Sequence, residues 1–487
     1  MTRILFGNVL SFSFYSSDGK FHLKMVGNVT ENVFFFNNKA RQRTKNKMIV
    51  DSIVFNGTLL TMNSKFKRYS CGGLAIKDGA IFMIGDSDSI VSQCQAKESI
   101  DARNGIIMPG LINAHSHIPM TCFRGIADDM PLMKWLNNYI FPLEAKFVNK
   151  ELVYYGSLLG MIEMIKSGTT TFCDMYFFED ETARAAKLAG IRCLLGEVLL
   201  DFPTPNAKTP AEGLAYSKML LEAWRNDPLV KIIIEPHSLY TCSKDLLISA
   251  RALAKKFNVP IGLHLLENIA ERAMLEEKLK MPAVNFLKEI DYLDDNFFAF
   301  HCVAVDEYDL DMFASAGSKI VHNAVSNMKL ASGMAPIVAM RGKGITVGIG
   351  TDGCASNNRL DMFAELSCVA RLAKIRENDP AVIDATSAVA MATIDGAKTL
   401  SMENEIGSLE VGKKADIIIL DMNKPHLTPL YNEYSHLAYA VSGSDVRTTI
   451  INGKVVMRDY ELQTVDEQEV IAKVNEIAKK IRTHRFE

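Results

Sequence analysis

From Met48 to about Ile107 the chain alternates short apolar, β-branched runs with polar positions, at Ile49 to Val54, Leu74 to Lys77 and Ala80 to Ile84. Asn56-Gly57, Gly72-Gly73 and Asp78-Gly79 interrupt these runs as turn signals, which predicts a small antiparallel β unit. The same texture returns from Ile406 to Val456, with Gly407, Gly412, an apolar strand at Asp416 to Leu420 and the turn Asn452-Gly453. Both ends of the patterned chain are therefore expected to join one β-sandwich domain, made of 48–107 and 406–460, with a helix over 461–487. Between them, over 108–405, short apolar runs alternate with longer amphipathic stretches, the signature of repeated βα units on a parallel sheet. The predicted strands are Gly110 to Ala114, Thr170 to Asp174, Ile191 to Leu199, Lys231 to Glu235, Ile261 to His264, Phe298 to His301, Lys319 to His322 and Thr346 to Thr351. Eight such units predict an α/β fold of the (β/α)8 TIM-barrel type, with the site at the carboxyl ends of its strands.

The first 47 residues lack this pattern and are expected to be a poorly ordered extension, upstream of a start at Met48. They hold eight lysines and arginines against Asp18 and Glu31, so the -3 net charge divides into +6 there and -9 elsewhere. No small-residue cleavage site follows Met1 to Tyr15, which argues against a secretory signal. The near-neutral charge excludes a global basic field for nucleic acid, and no apolar run approaches the roughly 18 residues of a membrane span. Nine cysteines lie singly without a CxxC pair, which fits reduced core thiols in the cytoplasm. A small-molecule ligand is the expected partner, without nucleic acid or membrane, and a homo-oligomer is the expected assembly.

Six of the ten histidines fall at or just after the carboxyl end of a predicted strand: His115, His117, His237, His264, His301 and His322. One such histidine is ordinarily hydrogen-bonded scaffold; six on one rim point to metal chemistry. His115 and His117 are separated by one residue, so on a strand both face the same way and can grip one ion. With His264 and Asp352 ending later strands, three imidazoles and one carboxylate leave room for water, which a divalent ion activates as hydroxide near neutral pH. A two-metal site would want a bridging lysine at the end of the fourth strand. That strand reads Ile232-Ile233-Ile234-Glu235-Pro236-His237, so one ion is expected, with zinc favoured over iron or manganese. Glu267 follows His264 by three residues; if a helical turn begins there, its carboxyl lies beside the activated water as a proton shuttle. His301 and Asp352 are placed to orient that water and take its proton.

Over Met48 to the end, the chain resembles the amidohydrolase superfamily, and most closely its methylthioadenosine/S-adenosylhomocysteine deaminase branch. The residues that carry the resemblance are Pro109-Gly110-Leu111-Ile112-Asn113-Ala114-His115-Ser116-His117, Arg124-Gly125, Asp174-Met175-Tyr176, His237-Ser238-Leu239-Tyr240-Thr241-Cys242, His264-Leu265-Leu266-Glu267, His301-Cys302-Val303, Ser326 to Gly333 and Gly350 to Asn358. The resemblance implies metal ligation by His115, His117, His264 and Asp352, with Glu267 as acid and base and His301 beside the attacking hydroxide. It also implies that Glu144 holds the ribose hydroxyls and that His237 meets the purine. Trp135 is read either as a wall of the pocket or as plain packing. Relatives that accept S-adenosylhomocysteine tend to carry an arginine where this chain has Gly196-Glu197-Val198, so Glu197 is expected to repel that substrate's carboxylate. Ala324-Val325 departs from a proline common in relatives, which changes loop stiffness rather than chemistry. The resemblance implies hydrolytic deamination of an adenosine-type nucleoside. The alternatives are a guanine, cytosine or pterin deaminase or an s-triazine chlorohydrolase of the same superfamily, and an inactive barrel used as a scaffold.

Overall fold

The computed structural model describes residues 3–6, 10–17, 20–26 and 47–483, in two units, Met1–Met48 and Ile49–Glu487. In the first unit Arg3–Phe6, Leu10–Ser17 and Lys20–Val26 pair as an antiparallel three-stranded sheet. These strands run through the stretch read above as poorly ordered; the part of that expectation covering 27–46 lies outside the described residues. The signal overlooked there is the alternation Leu10-Ser11-Phe12-Ser13-Phe14, a strand period.

The second unit contains eight parallel strands of three or more residues, called here first to eighth: Leu111–Ser116, Thr169–Tyr176, Arg192–Leu199, Val230–Ile232, Ile261–Leu265, Phe297–His301, Lys319–His322 and Val347–Ile349, and the two-residue Glu235–Pro236 also pairs with the third. The first four pair in order and so do the last four. Single parallel bridges, Ile234 with Ile261 and Ser238 with His264, join the two runs. At the opposite seam, beyond the eighth strand, the Asp352 N–H donates to the His115 carbonyl at 3.0 Å and the Thr351 N–H to Asn113 Oδ1 at 2.9 Å. Most residues of these strands are buried on both faces, as expected of parallel strands covered by helices.

Nine further strands form one sheet from both ends of the unit, with Ile106–Pro109 antiparallel to Ile417–Leu420 in the register Ile417 to Pro109 and Ile419 to Ile107. The period of two divides these strands between two cores. Ile107, Ile417 and Ile419 point into a small cluster with Val54, Leu59, Leu74 and Ile450, whereas Ile106, Met108, Ile418 and Leu420 belong to the main core. This two-sided burial explains why Ile417–Leu420 is apolar throughout. Arg192, at the start of the third parallel strand, is 1% exposed and clasps Asp416 at 2.8 and 3.1 Å, tying the parallel strands to this sheet. The final helix, Glu467–Arg482, is capped by Asp466 and buries Val470, Val474, Ile477 and Ile481, one stripe at helical spacing.

Candidate active site

Backbone turns bring the predicted ligands to one point. His115 ends the first strand and is fully buried. His117 follows, and its Nδ1 donates to the Met175 carbonyl at 2.6 Å, which leaves Nε2 free to face inward. His264 is oriented the same way by the His237 carbonyl, 2.9 Å from its Nδ1. Asp352, at φ 63°, and His301, at φ 69°, both sit in the left-handed region as the chain leaves its strands, a conformation that costs non-glycine residues about 1–3 kcal/mol. Asp352 Oδ1 lies 3.6 Å from His115 Nε2 and 3.3 Å from His117 Nε2. Its other oxygen accepts from Ser326 Oγ at 2.5 Å and Ser356 Oγ at 2.9 Å. The candidate ligand atoms of His115, His117 and Asp352 lie within 4.8 Å of one another, and so do those of His115, His264 and His301.

These groups fit a divalent cation. Both ring nitrogens of His115 are buried without a hydrogen-bond partner, an arrangement that a metal bond relieves. Burial pushes His115 down to about 3 and His264 well below the usual imidazole range, keeping both neutral, the form that ligates. His117 goes the other way: burial opposes its charge, but the Asp352 carboxylate outweighs this and raises it to about 9. Asp352 in turn is held well below the usual carboxylate range against its burial, by the His115 and His117 imidazoles that face it at 3.6 and 3.3 Å.

Beside these groups opens a cavity walled by Leu132, Trp135, Leu136, Ile140, Phe141, Met175, Val198, Leu200 and Leu330, with His117, Glu144, Tyr176, His237, Tyr240, His264, Glu267, His301 and Asp352 among its polar lining. None of the lining residues is a lysine or an arginine. Glu267 Oε2 stands 3.9 Å from His301 Nε2, and burial raises its carboxyl above the ordinary range. Burial likewise brings Glu144 to about 7. His237, which burial lowers to about 3, is oriented by Thr241 Oγ1 at 2.9 Å from its Nδ1.

The Amidohydrolase family pattern matches residues 106–456. The chain belongs to the amidohydrolase family. It is 54% identical to 5-methylthioadenosine/S-adenosylhomocysteine deaminase 1 of Syntrophus aciditrophicus, over 89% of this chain and 98% of that one. It is 42% identical to 5'-deoxyadenosine deaminase of Methanosarcina barkeri, over 89% and 99%. A solved adenosine deaminase from Xanthomonas campestris with bound zinc superposes with a TM-score of 0.88 at 34% identity, over 90% of this chain and all of that one. Amidohydrolases are hydrolases, and this chain is one.

Within this amidohydrolase, the structure gathers His115, His117, His264, Glu267, His301 and Asp352 at one end of the cavity, and Glu144, His237 and Trp135 along it. Three expectations need correction. Glu267 is not in a helical turn: the helix Ile269–Leu279 begins later, capped by Asn268, and Glu267 is delivered by a kink at Leu266, φ 51°. Its N–H is anchored on Glu271 Oε2 at 2.7 Å. Glu197 does not face the cavity. Its carboxyl accepts from the Phe178 and Glu179 N–H groups at 3.3 and 3.1 Å and from Asn206 Nδ2 at 2.5 Å, capping the helix Glu179–Ala189. A side chain at Gly196 would collide with the Glu235 carboxyl, so no arginine fits there either. His322, expected on the rim, is buried behind it and lines no part of the cavity. The sequence reading left Ser326, Ser356 and Asn327 without roles. Asn327 Oδ1 accepts from His301 Nδ1 at 2.8 Å, and all three stand in the resemblance-bearing stretches that were their only signal.

Proposed function

We propose that this amidohydrolase deaminates an adenosine-type nucleoside, 5'-methylthioadenosine, 5'-deoxyadenosine, adenosine or S-adenosylhomocysteine, to its inosine analogue and ammonia. The observation that carries this reading is the convergence of His115, His117, His264 and Asp352 at one end of a cavity, with the Glu267 carboxyl, raised by burial, beside His301. These four residues would hold one divalent ion, zinc by preference, with iron or manganese as its replacements. Such an ion supplies hydroxide near neutral pH. Glu267 Oε gives the purine ring nitrogen the proton that water loses in becoming hydroxide, then carries to the departing amine the second proton, the one taken from the attacking oxygen, two transfers that a carboxyl of raised pKa serves. His301 Nε2, fixed by Asn327, and Asp352 Oδ1 orient the attacking oxygen and take its proton. Glu144 holds the ribose hydroxyls and His237 meets the purine. The apolar wall without a lysine or arginine favours uncharged 5' groups, since a carboxylate buried there would stay unpaired.

The reading extends to the architecture: residues 108–405 form a closed (β/α)8 barrel, and 48–107 with 406–460 a small β-sandwich. The nine cysteines form no disulfide among the described residues, which supports the cytoplasm as the compartment, and no helix among those residues is long and apolar enough to cross a membrane. A panel of methylthioadenosine, 5'-deoxyadenosine, adenosine, S-adenosylhomocysteine and guanine, followed by loss of ultraviolet absorbance, tests the function. Turnover of the first two should exceed that of S-adenosylhomocysteine. Turnover of guanine alone would discard the nucleoside reading, and equal rates on all the nucleosides would discard the preference.

A further inference from the structure

Lys329 ends the short helix Ala324–Lys329 and takes no part in the chemistry proposed above. Its ammonium nevertheless ties its own loop to two others. It donates to Asp128 Oδ1 at 2.5 Å, to the Ala355 carbonyl at 3.1 Å and to Asn358 Oδ1. Asn358 is gripped from a second side, its carbonyl accepting from Arg124 Nη1 at 2.6 Å, and Arg124 is itself paired with Glu163 at 2.5 Å.

Each of the three loops carries part of the site. The stretch 324–332 brings Ser326, Asn327 and Ser332; the stretch 353–358 follows Asp352 and brings Ser356. The stretch 124–129 is the stem of a roof, 132–144, that supplies six cavity-lining residues, Trp135 and Glu144 among them. The roof is one helical run, Leu132 to Phe147, built of α, π and again α turns. Its stem turns at Gly125, φ 72°, and Asp129, φ 60°, and its helix is interrupted by the π turn Leu136–Ile140, a geometry found mostly as single turns at functional sites.

We propose that Lys329 is a positioning residue for substrate binding: it clamps the 124–129 stem to the loops after the seventh and eighth strands and so holds the roof down over the nucleoside. A ligand that binds only under a closed roof loses apparent affinity in proportion to the closed fraction. The metal ligands and Glu267 are untouched when the clamp is cut. Loss of Lys329 therefore weakens binding and spares the chemical step. The pair is partly solvated, with side chains 20% and 36% exposed, so the effect is moderate.

The test compares Lys329→Met, Lys329→Arg and Asp128→Asn as full-length, metal-loaded proteins. KM for methylthioadenosine should rise about tenfold in Lys329→Met and about threefold in Asp128→Asn, with kcat within about twofold of wild type and bound metal unchanged. Lys329→Arg should recover most of the affinity. Hydrogen exchange supplies a readout independent of turnover: amides of 130–147 should exchange faster in Lys329→Met and Asp128→Asn, and those of 169–176 should not. A lower kcat at unchanged KM, or loss of metal, would make Lys329 a support of Asp352 and overturn the proposal, as would unaltered exchange in the roof. Should Lys329→Met fail to fold, Asp128→Asn decides. The KM measurement rests on the deaminase reading; a wild type that turns over no adenosine-type nucleoside would sink that reading, and the exchange measurement would still decide the role of Lys329.

Discussion

Two groups of ionisable side chains are buried near the carboxyl ends of the parallel strands. Around His115 stand His117, His264, His301 and Asp352, four imidazoles to one carboxylate. Around Glu179 stand Asp174, Glu197 and Glu235, all carboxyls and all buried, each adding repulsion to any charge on Glu179. The first group has the orphan ring nitrogens of His115, whose lone pair a cation satisfies. The second has unpaired oxygens on Asp174, Glu179 and Glu235, which protons satisfy. Burial raises Asp174 to about 7 and Glu197 to about 8, and Glu179 and Glu235 well above the ordinary range. Buried polar groups thus reach neutrality by two routes, and the kind of orphan atom decides between them.

Exchanging a carboxyl for its isosteric amide should separate the two groups. The largest effect is expected at the first: Asp352→Asn removes the one anionic ligand, and both bound metal and turnover should fall to background, as checked by metal analysis and the absorbance assay. Glu267→Gln should abolish turnover while metal stays bound; a near-normal rate would refute its proton-carrying role. Ser326→Ala, which strips one donor from Asp352, should lower metal affinity or turnover about 10- to 100-fold.

Smaller effects belong to the carboxyl group. Glu197 has a folded pKa of about 8 against an ordinary 4.5, so its proton-linked stability is fully present below the lower value and lost as pH rises through the higher. The melting temperature of the metal-loaded protein should therefore fall between pH 6 and pH 9, and Glu197→Gln should flatten that fall. A melting temperature that rises over this range would show the cluster to be ionised. The smallest effect is expected from Glu179→Gln, which mimics a protonated carboxyl: stability should change by less than about 1 kcal/mol and turnover by less than about twofold. A loss as large as that of Asp352→Asn would erase the distinction between the groups.

The same contrast governs what could be read in advance. The parallel strands and the histidines at their ends were legible because alternation, β-branching and the His-Ser-His spacing are local signals, and all eight predicted strands overlap observed ones. Glu197 was misplaced because its partners, the N–H groups of Phe178 and Glu179 and the amide of Asn206, depend on how the second and third strands align. Glu267 was given a helical turn because a left-handed Leu266 has no glycine or asparagine to announce it. The clamp at Lys329 joins residues 201 positions apart, and nothing in the composition of either loop marks the pairing.

The shared strand Ile417–Leu420 has a consequence for biosynthesis. A ribosome releases Ile106–Pro109 long before its antiparallel neighbour exists, so one edge of the amino-terminal sheet stays unpaired while all the parallel strands are being made. Final closure of both cores waits for the last stretch of translation, and a nascent chain stalled before residue 417 would present that bare edge to other nascent copies.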